Sequence, residues 1–220
     1  MFGAAVAKVY FYTFGTATRL YAEGVTELRT GEWQGATRLA SVRDYRCGYC
    51  GREANASLGY EYGSARDPVV ALCPHCASPT LLEGARRQIP GELPGRFVAY
   101  LPADIELLFL EARLAVSAGA YTGSVLMCRK VLAHLAVAQG AEAGGSFVYV
   151  LDYLETYLPQ SLRSWLEYLR ARSREAHHEI NIMTRQDALA TIGLVEALLR
   201  IIYELPNQVP TLPNLDDLLG

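Results

Sequence analysis

The sequence predicts an α+β protein, mainly α, with a β-rich N-terminal part followed by a bundle of about five helices. Three observations carry that prediction. Before about residue 100 the chain is rich in glycine, threonine, tyrosine and short apolar runs, whereas beyond it apolar residues recur at three- and four-residue steps. Four of the five cysteines form two C-x-x-C pairs, both in the first part. Hydrophobic residues are 51% and charged residues 20% of 220, a globular composition that excludes a disordered, collagen-like or rod-forming chain. That length has room for one medium domain and a small one.

In the first part, residues 9–14 and 18–28 have the β-branched and aromatic character of strands, with Gly15 and Gly24 as punctuation. Residues 58–62 and 69–72 are strand-like between the cysteine pairs. Residues 89–102 hold three prolines and two glycines, which makes a connector and a poor helix. The expected division is a strand-rich segment 1–43, a metal-binding ribbon 44–82, a linker 83–101, a helical bundle 102–205 and an extended tail 206–220.

Helical periodicity then sets five elements. Ile105, Leu108, Phe109, Ala112 and Val116 define the first, over about 103–119. Val125, Cys128, Leu132, Leu135 and Ala136 define the second, stopped at Gly140. Ser146 can cap a third that buries Phe147, Leu151 and Leu154, and Pro159 opens a fourth with the stripe Leu162, Trp165, Leu166, Leu169 and Ala176. Thr184 and Asp187 have capping-box spacing and start a fifth, which runs to Tyr203 before Pro206. A helix so apolar on most sides is central in its bundle or buried against a second copy, so a homodimer is expected.

In Cys47-Gly48-Tyr49-Cys50-Gly51 and Cys73-Pro74-His75-Cys76, 22 residues lie between Cys50 and Cys73. Two such turns brought together by a hairpin make a tetrahedral, closed four-thiolate site, and the expected occupant is one structural zinc per chain held by Cys47, Cys50, Cys73 and Cys76. The rival readings are unligated thiols and a redox-active pair, the latter without a thioredoxin-like context. His75 could replace one cysteine as ligand. Cys128, inside an apolar stripe, is a buried small hydrophobe. An odd cysteine count with this pairing points to a reducing compartment, so the cytoplasm is expected. No apolar run approaches the about 18 residues of a membrane helix, and the first fifteen residues lack the form of a signal peptide.

Charge supplies the remaining candidates. The net charge of -3 argues against a general polyanion-binding surface, so any nucleic-acid contact would come from a local basic patch. Residues 38–67 hold five arginines against four acids, too balanced for a DNA-reading ribbon. Arg129 shares the helical angle of Val125, Leu132 and Ala136, and a buried arginine calls for a carboxylate, with Glu111 the candidate partner in a structural ion pair. His134 on the same helix reads as a satisfied or exposed side chain. On the fourth helix Arg163, Glu167, Arg170, Arg174 and His178 share one polar face, which is either a solvated surface of ion pairs or, with His177 beside His178, a place for phosphodiester chemistry.

Pro74-His75-Cys76-Ala77-Ser78-Pro79-Thr80, Leu101-Pro102-Ala103-Asp104-Ile105, Glu111-Ala112-Arg113, Gly119-Ala120-Tyr121, Cys128-Arg129-Lys130 and Glu175-Ala176-His177-His178-Glu179-Ile180 resemble, in order, the bacterial zinc-ribbon proteins of domain of unknown function 4145. The resemblance covers residues 44–206. It implies a HEPN-like helical bundle, usually dimeric, and a link to restriction-modification and other antiphage defence systems, with a defence-system protein or RNA as partner. Active HEPN ribonucleases pair an arginine with a histidine four to six residues on and cut RNA without a metal. Arg172 meets that spacing with His177 and His178, but in an unbroken helix five residues rotate a side chain far out of line, whereas Arg174 and His178 share a face. The formal motif therefore needs a break near Ser173 or an arginine from a dimer partner. The family's Gly-Asn pair before the final histidine is Ser173-Arg174 here. A non-catalytic module is the expected reading, and a metal-independent endoribonuclease using His178, His177, Arg172 and Arg174 is the alternative.

Overall fold

The computed structural model describes residues 10–14, 17–21, 35–39, 42–62, 67–175 and 182–209, with side chains described from residue 35 onward except at 172–175. The protein is mainly helical, with a β-rich N-terminal region.

Strands β1 (Tyr10–Phe14) and β2 (Ala17–Tyr21) pair antiparallel, Phe14 opposite Ala17. They match the first two predicted strands, although residues 22–28 of the second lie outside the described residues. Seven short strands follow. They are β3 (Thr37–Arg38), β4 (Tyr45–Arg46), β5 (Glu53–Ala54), β6 (Leu58–Glu61), β7 (Val69–Leu72), β8 (Pro79–Glu83) and β9 (Arg87–Ile89). Five of them form an antiparallel sheet in the order β3-β6-β7-β8-β9, and β4 pairs with β5 alone. The sheet thus extends beyond 44–82 at both ends, because β3 and β9 add edge strands. Its small core of Leu39, Tyr45, Ala54, Ala56, Val69, Ala71 and Leu82 contains Cys47 and Cys73 as well.

The helical half follows the predicted stripes closely. Helix α1 (Ala103–Ser117) buries Ile105, Phe109, Ala112 and Val116. Helix α2 (Tyr121–Ala138) is central, packed against α1, α5 and α3, and buries Val125, Cys128, Val131, Leu132, Leu135 and Ala136. Helix α3 (Phe147–Glu155) starts at Ser146, whose hydroxyl accepts from the Tyr149 amide at 3.2 Å. Pro159 precedes a 3-10 turn (Gln160–Leu162) and α4 (Arg163–Glu175), which buries Leu166 and Leu169. Trp165, expected in that stripe, is instead 41% exposed.

Helix α5 (Arg185–Leu199) opens with the predicted capping box. The Asp187 amide donates to the Thr184 hydroxyl at 3.2 Å, and the Thr184 amide donates to the Asp187 carboxylate at 2.9 Å. Burial of Asp187, Ala188, Thr191, Ile192, Leu194, Val195, Leu198 and Leu199, with α5 packed on α2 and α1, accounts for its apolar character within one chain. The helix does not stop before Pro206. A π-helical turn (Arg200–Glu204), with the Leu205 amide donating to Arg200 O, leads into α6 (Leu205–Gln208). The wider turn gives room to a proline ring that would otherwise meet the carbonyl four residues back, so the helical path continues through a residue expected to end it. The tail beyond residue 209 lies outside the described residues. Among the described residues no helix is long and apolar enough to cross a membrane.

Candidate metal centre

Each C-x-x-C pair occupies the loop of a hairpin. The first joins β4 to β5, with Arg46 opposite Glu53, and the second joins β7 to β8, with Leu72 opposite Pro79. The two loops repeat one backbone pattern. Cys47 N donates to Arg52 O (2.9 Å) and Gly51 N to Cys47 O (2.9 Å); Cys73 N donates to Ser78 O (3.0 Å) and Ala77 N to Cys73 O (2.8 Å). The residue after the second cysteine is left-handed in both, Gly51 at φ 69° and Ala77 at φ 60°. That turn folds the two thiols of each knuckle toward the same point, and the Tyr49 amide faces Cys47 Sγ at 3.5 Å.

The four sulfurs converge. A tetrahedron of thiolates about 2.3 Å from a central ion has edges of about 3.8 Å. The distances across the knuckles are 3.7 Å for Cys47–Cys76 and 3.8 Å for Cys50–Cys73, and all four sulfurs lie within 4.8 Å of one another. The donor set therefore fits a metal ion held by four cysteines. Cys47 and Cys73 are fully buried, whereas Cys50 and Cys76 are partly open. Beneath them Tyr45 is 3% exposed, and burial followed by the thiols of Cys73 and Cys47 holds its phenol above the usual range. His75 is not a fifth candidate, since its Nε2 lies 3.0 Å from the carbonyl of Glu53 on the exposed face of the ribbon.

Ala77 occupies a conformation that costs an L-residue roughly 1–2 kcal/mol and glycine almost nothing. Its methyl is buried, and losing it costs about 0.8 kcal/mol at most, to which a glycine adds some unfolded-chain entropy. The strain relieved and the summed losses nearly cancel, so Ala77→Gly is expected to change the stability of the loaded ribbon by no more than about 0.5 kcal/mol, and a larger fall in the unfolding midpoint would show that methyl packing dominates.

The other predicted residues are not drawn together in this way. Arg129 is half-buried with its guanidinium 4.4 Å from the centre of the Phe147 ring, and burial lowers its pKa. Glu111 is exposed, so the structure sets Arg129 against an aromatic face where a carboxylate was expected. Among the described residues the buried arginine is Arg113, 5% exposed, whose Nε donates to Pro94 O at 2.6 Å and Nη2 to Gly95 O at 3.3 Å. His134 Nδ1 meets Asp104 Oδ2 at 3.1 Å on the surface, and that hydrogen bond holds Asp104 below the ordinary carboxylate value. Cys128 is buried and its thiol pushed up to about 12 by that burial, an inert packing residue.

On α4 the arginine face is turned against α3. Arg170 binds Asp152 at 2.7 Å, Glu155 at 2.6 Å and Glu167 at 2.5 Å, with only 11% of its side chain exposed, and Arg163 lies 3.8 Å from Glu155. The helix is unbroken past Ser173. Arg172 and Arg174 lie on it with their side chains outside the described set, and His177 and His178 lie outside the described residues altogether.

No curated protein and no solved structure matches the chain. The family model described as Domain of unknown function (DUF4145) matches residues 110–215, which begins inside α1 and leaves the cysteine ribbon outside the match. The motifs from Glu111 to Ile180 lie inside that match, so the helical half of the chain is similar to the DUF4145 family.

Proposed function

We propose that the protein is a non-catalytic zinc-binding module whose HEPN-like helical domain serves as an interaction or nucleic-acid-associated accessory of a bacterial restriction-modification or antiphage defence system. The single observation that carries the reading is the closed four-thiolate geometry. Its four ligands complete a tetrahedron and keep no position for water or substrate, so the ion would be structural. Four soft donors at these spacings suit zinc. The arginine face of α4 supports the same reading, because Arg170 is spent on three carboxylates of the same chain. The defence role, a protein or RNA partner and a homodimer through the bundle come from the family resemblance; Leu126 and Val137, exposed at the same helical angle of α2, offer a second copy an apolar stripe.

Metal analysis of the purified chain, with single-stranded RNA incubated in parallel, tests the reading. The expected result is one zinc per chain, intact RNA, and no difference between the native protein and His177→Ala or His178→Ala. Cleavage that survives chelation and disappears in a histidine variant would replace it with the endoribonuclease reading, with Arg172 or Arg174 on the phosphate.

A further inference from the structure

We infer that the first cysteine knuckle is the docking element for the helical bundle, so that loading the metal site stabilises the bundle through the connector 90–98. The inference rests on the metal reading above and concerns what the ribbon does to its neighbour. Three contacts converge on this knuckle. The first is Gly48, where a Cβ would stand 2.3 Å from Gly91 O and 2.9 Å from Pro90 Cγ, so the knuckle backbone lies directly on the connector. From there the Gly91 amide donates to Ser117 O at 2.7 Å, at the end of α1.

The second contact is a pair of arginines closing on one carbonyl. Arg46, immediately before Cys47, donates from Nε to Gly51 O at 2.9 Å and from Nη2 to Gly95 O at 2.6 Å. Arg113 reaches the same Gly95 oxygen from α1. One oxygen with two lone pairs thus takes a guanidinium from the ribbon and another from the bundle. The third contact is Leu93, 0% exposed, whose Cδ2 would lie 3.3 Å from a Cβ on Gly51. Beyond it the Arg96 amide donates to Glu196 Oε2 at 2.9 Å and carries the connection to α5.

Gly48 and Gly51 take these places only while the knuckle holds its turn, and the knuckle is held by its thiolates on the ion. A ligand that binds only the folded form stabilises every contact that form makes, so metal binding and bundle stability are linked. His75 of the second knuckle turns instead to Glu53 within the ribbon.

The test follows the helical circular dichroism of the full chain on heating, zinc-loaded and after chelation, with amide hydrogen exchange along α1. Chelation is expected to lower the helical midpoint by about 5 °C or more and to speed exchange near the end of α1. In Arg46→Gln loaded with zinc, the midpoint shift on chelation is expected to fall about twofold or more, because the ribbon side of the clasp is cut. A helical midpoint and an α1 exchange pattern that ignore the metal would overturn the inference, as would a full shift retained in Arg46→Gln. Should that variant fail to fold, the exchange comparison on the native chain decides alone. A chain that takes up no zinc sinks this inference and the metal reading together; one zinc bound with unchanged melting sinks only this one.

Discussion

Cys47→Ser is expected to abolish the proposed zinc binding and, with it, the fold of the ribbon from Val42 to Ile89. The small core there has Leu39, Val69, Leu82 and a few alanines as its aliphatic content, and two of its fully buried members are ligand cysteines. Such a core cannot offset the conformational entropy of some fifty residues. Structural zinc contributes about 10–16 kcal/mol of apparent binding free energy in small ribbons and fingers, and a serine hydroxyl is a poor replacement for one of its thiolates. Metal content after dialysis and exchange protection of the β6, β7 and β8 amides measure the loss. Cys128→Ser is the matched control, since Cys128 lies inside α2, outside the four-cysteine cluster. Retained zinc in Cys47→Ser would show that three cysteines suffice.

Leu132→Ala is expected to be the most damaging single truncation in the helical half. Leu132 is 0% exposed on α2, the helix against which α1, α3 and α5 all pack, so the cavity it leaves has walls that cannot close independently. The expected loss is about 2–5 kcal/mol, read from denaturant unfolding followed by circular dichroism. Leu126→Ala on the same helix is 56% exposed and should stay within about 0.5 kcal/mol. Equal losses at the two positions would mean that Leu126 is covered in solution, as the proposed homodimer would require.

Sequence reasoning located the elements whose cause is local. Ser146, Thr184 and Asp187 cap helices because their side chains reach amides three residues away, and the two C-x-x-C turns announce themselves by their spacing. It failed where the decisive partner is distant. Arg113 stands four residues from Phe109 on the edge of the α1 stripe, yet the rule that a buried arginine needs a carboxylate directed attention to Arg129. The carbonyls of Pro94 and Gly95, in the connector, accept hydrogen bonds from Arg113, and nothing in a sequence marks a carbonyl as available. Periodicity places Trp165 inward, yet it is 41% exposed, because the apolar stripe of α4 closes on Leu166 and Leu169. The π-helical turn before Pro206 escaped for a related reason, as proline's effect depends on whether the preceding turn can widen.

The ligand set is uneven: the first cysteine of each knuckle is sealed, and the second reaches the surface. Affinity and exchange rate are therefore governed by different atoms. All four thiolates would determine how tightly an ion is held, whereas among the described residues the partly open Cys50–Cys76 edge is where a chelator, an oxidant or a competing cation would approach. Bulk added at that edge, beside Tyr49 or His75, would slow metal turnover while leaving the equilibrium constant almost where it was.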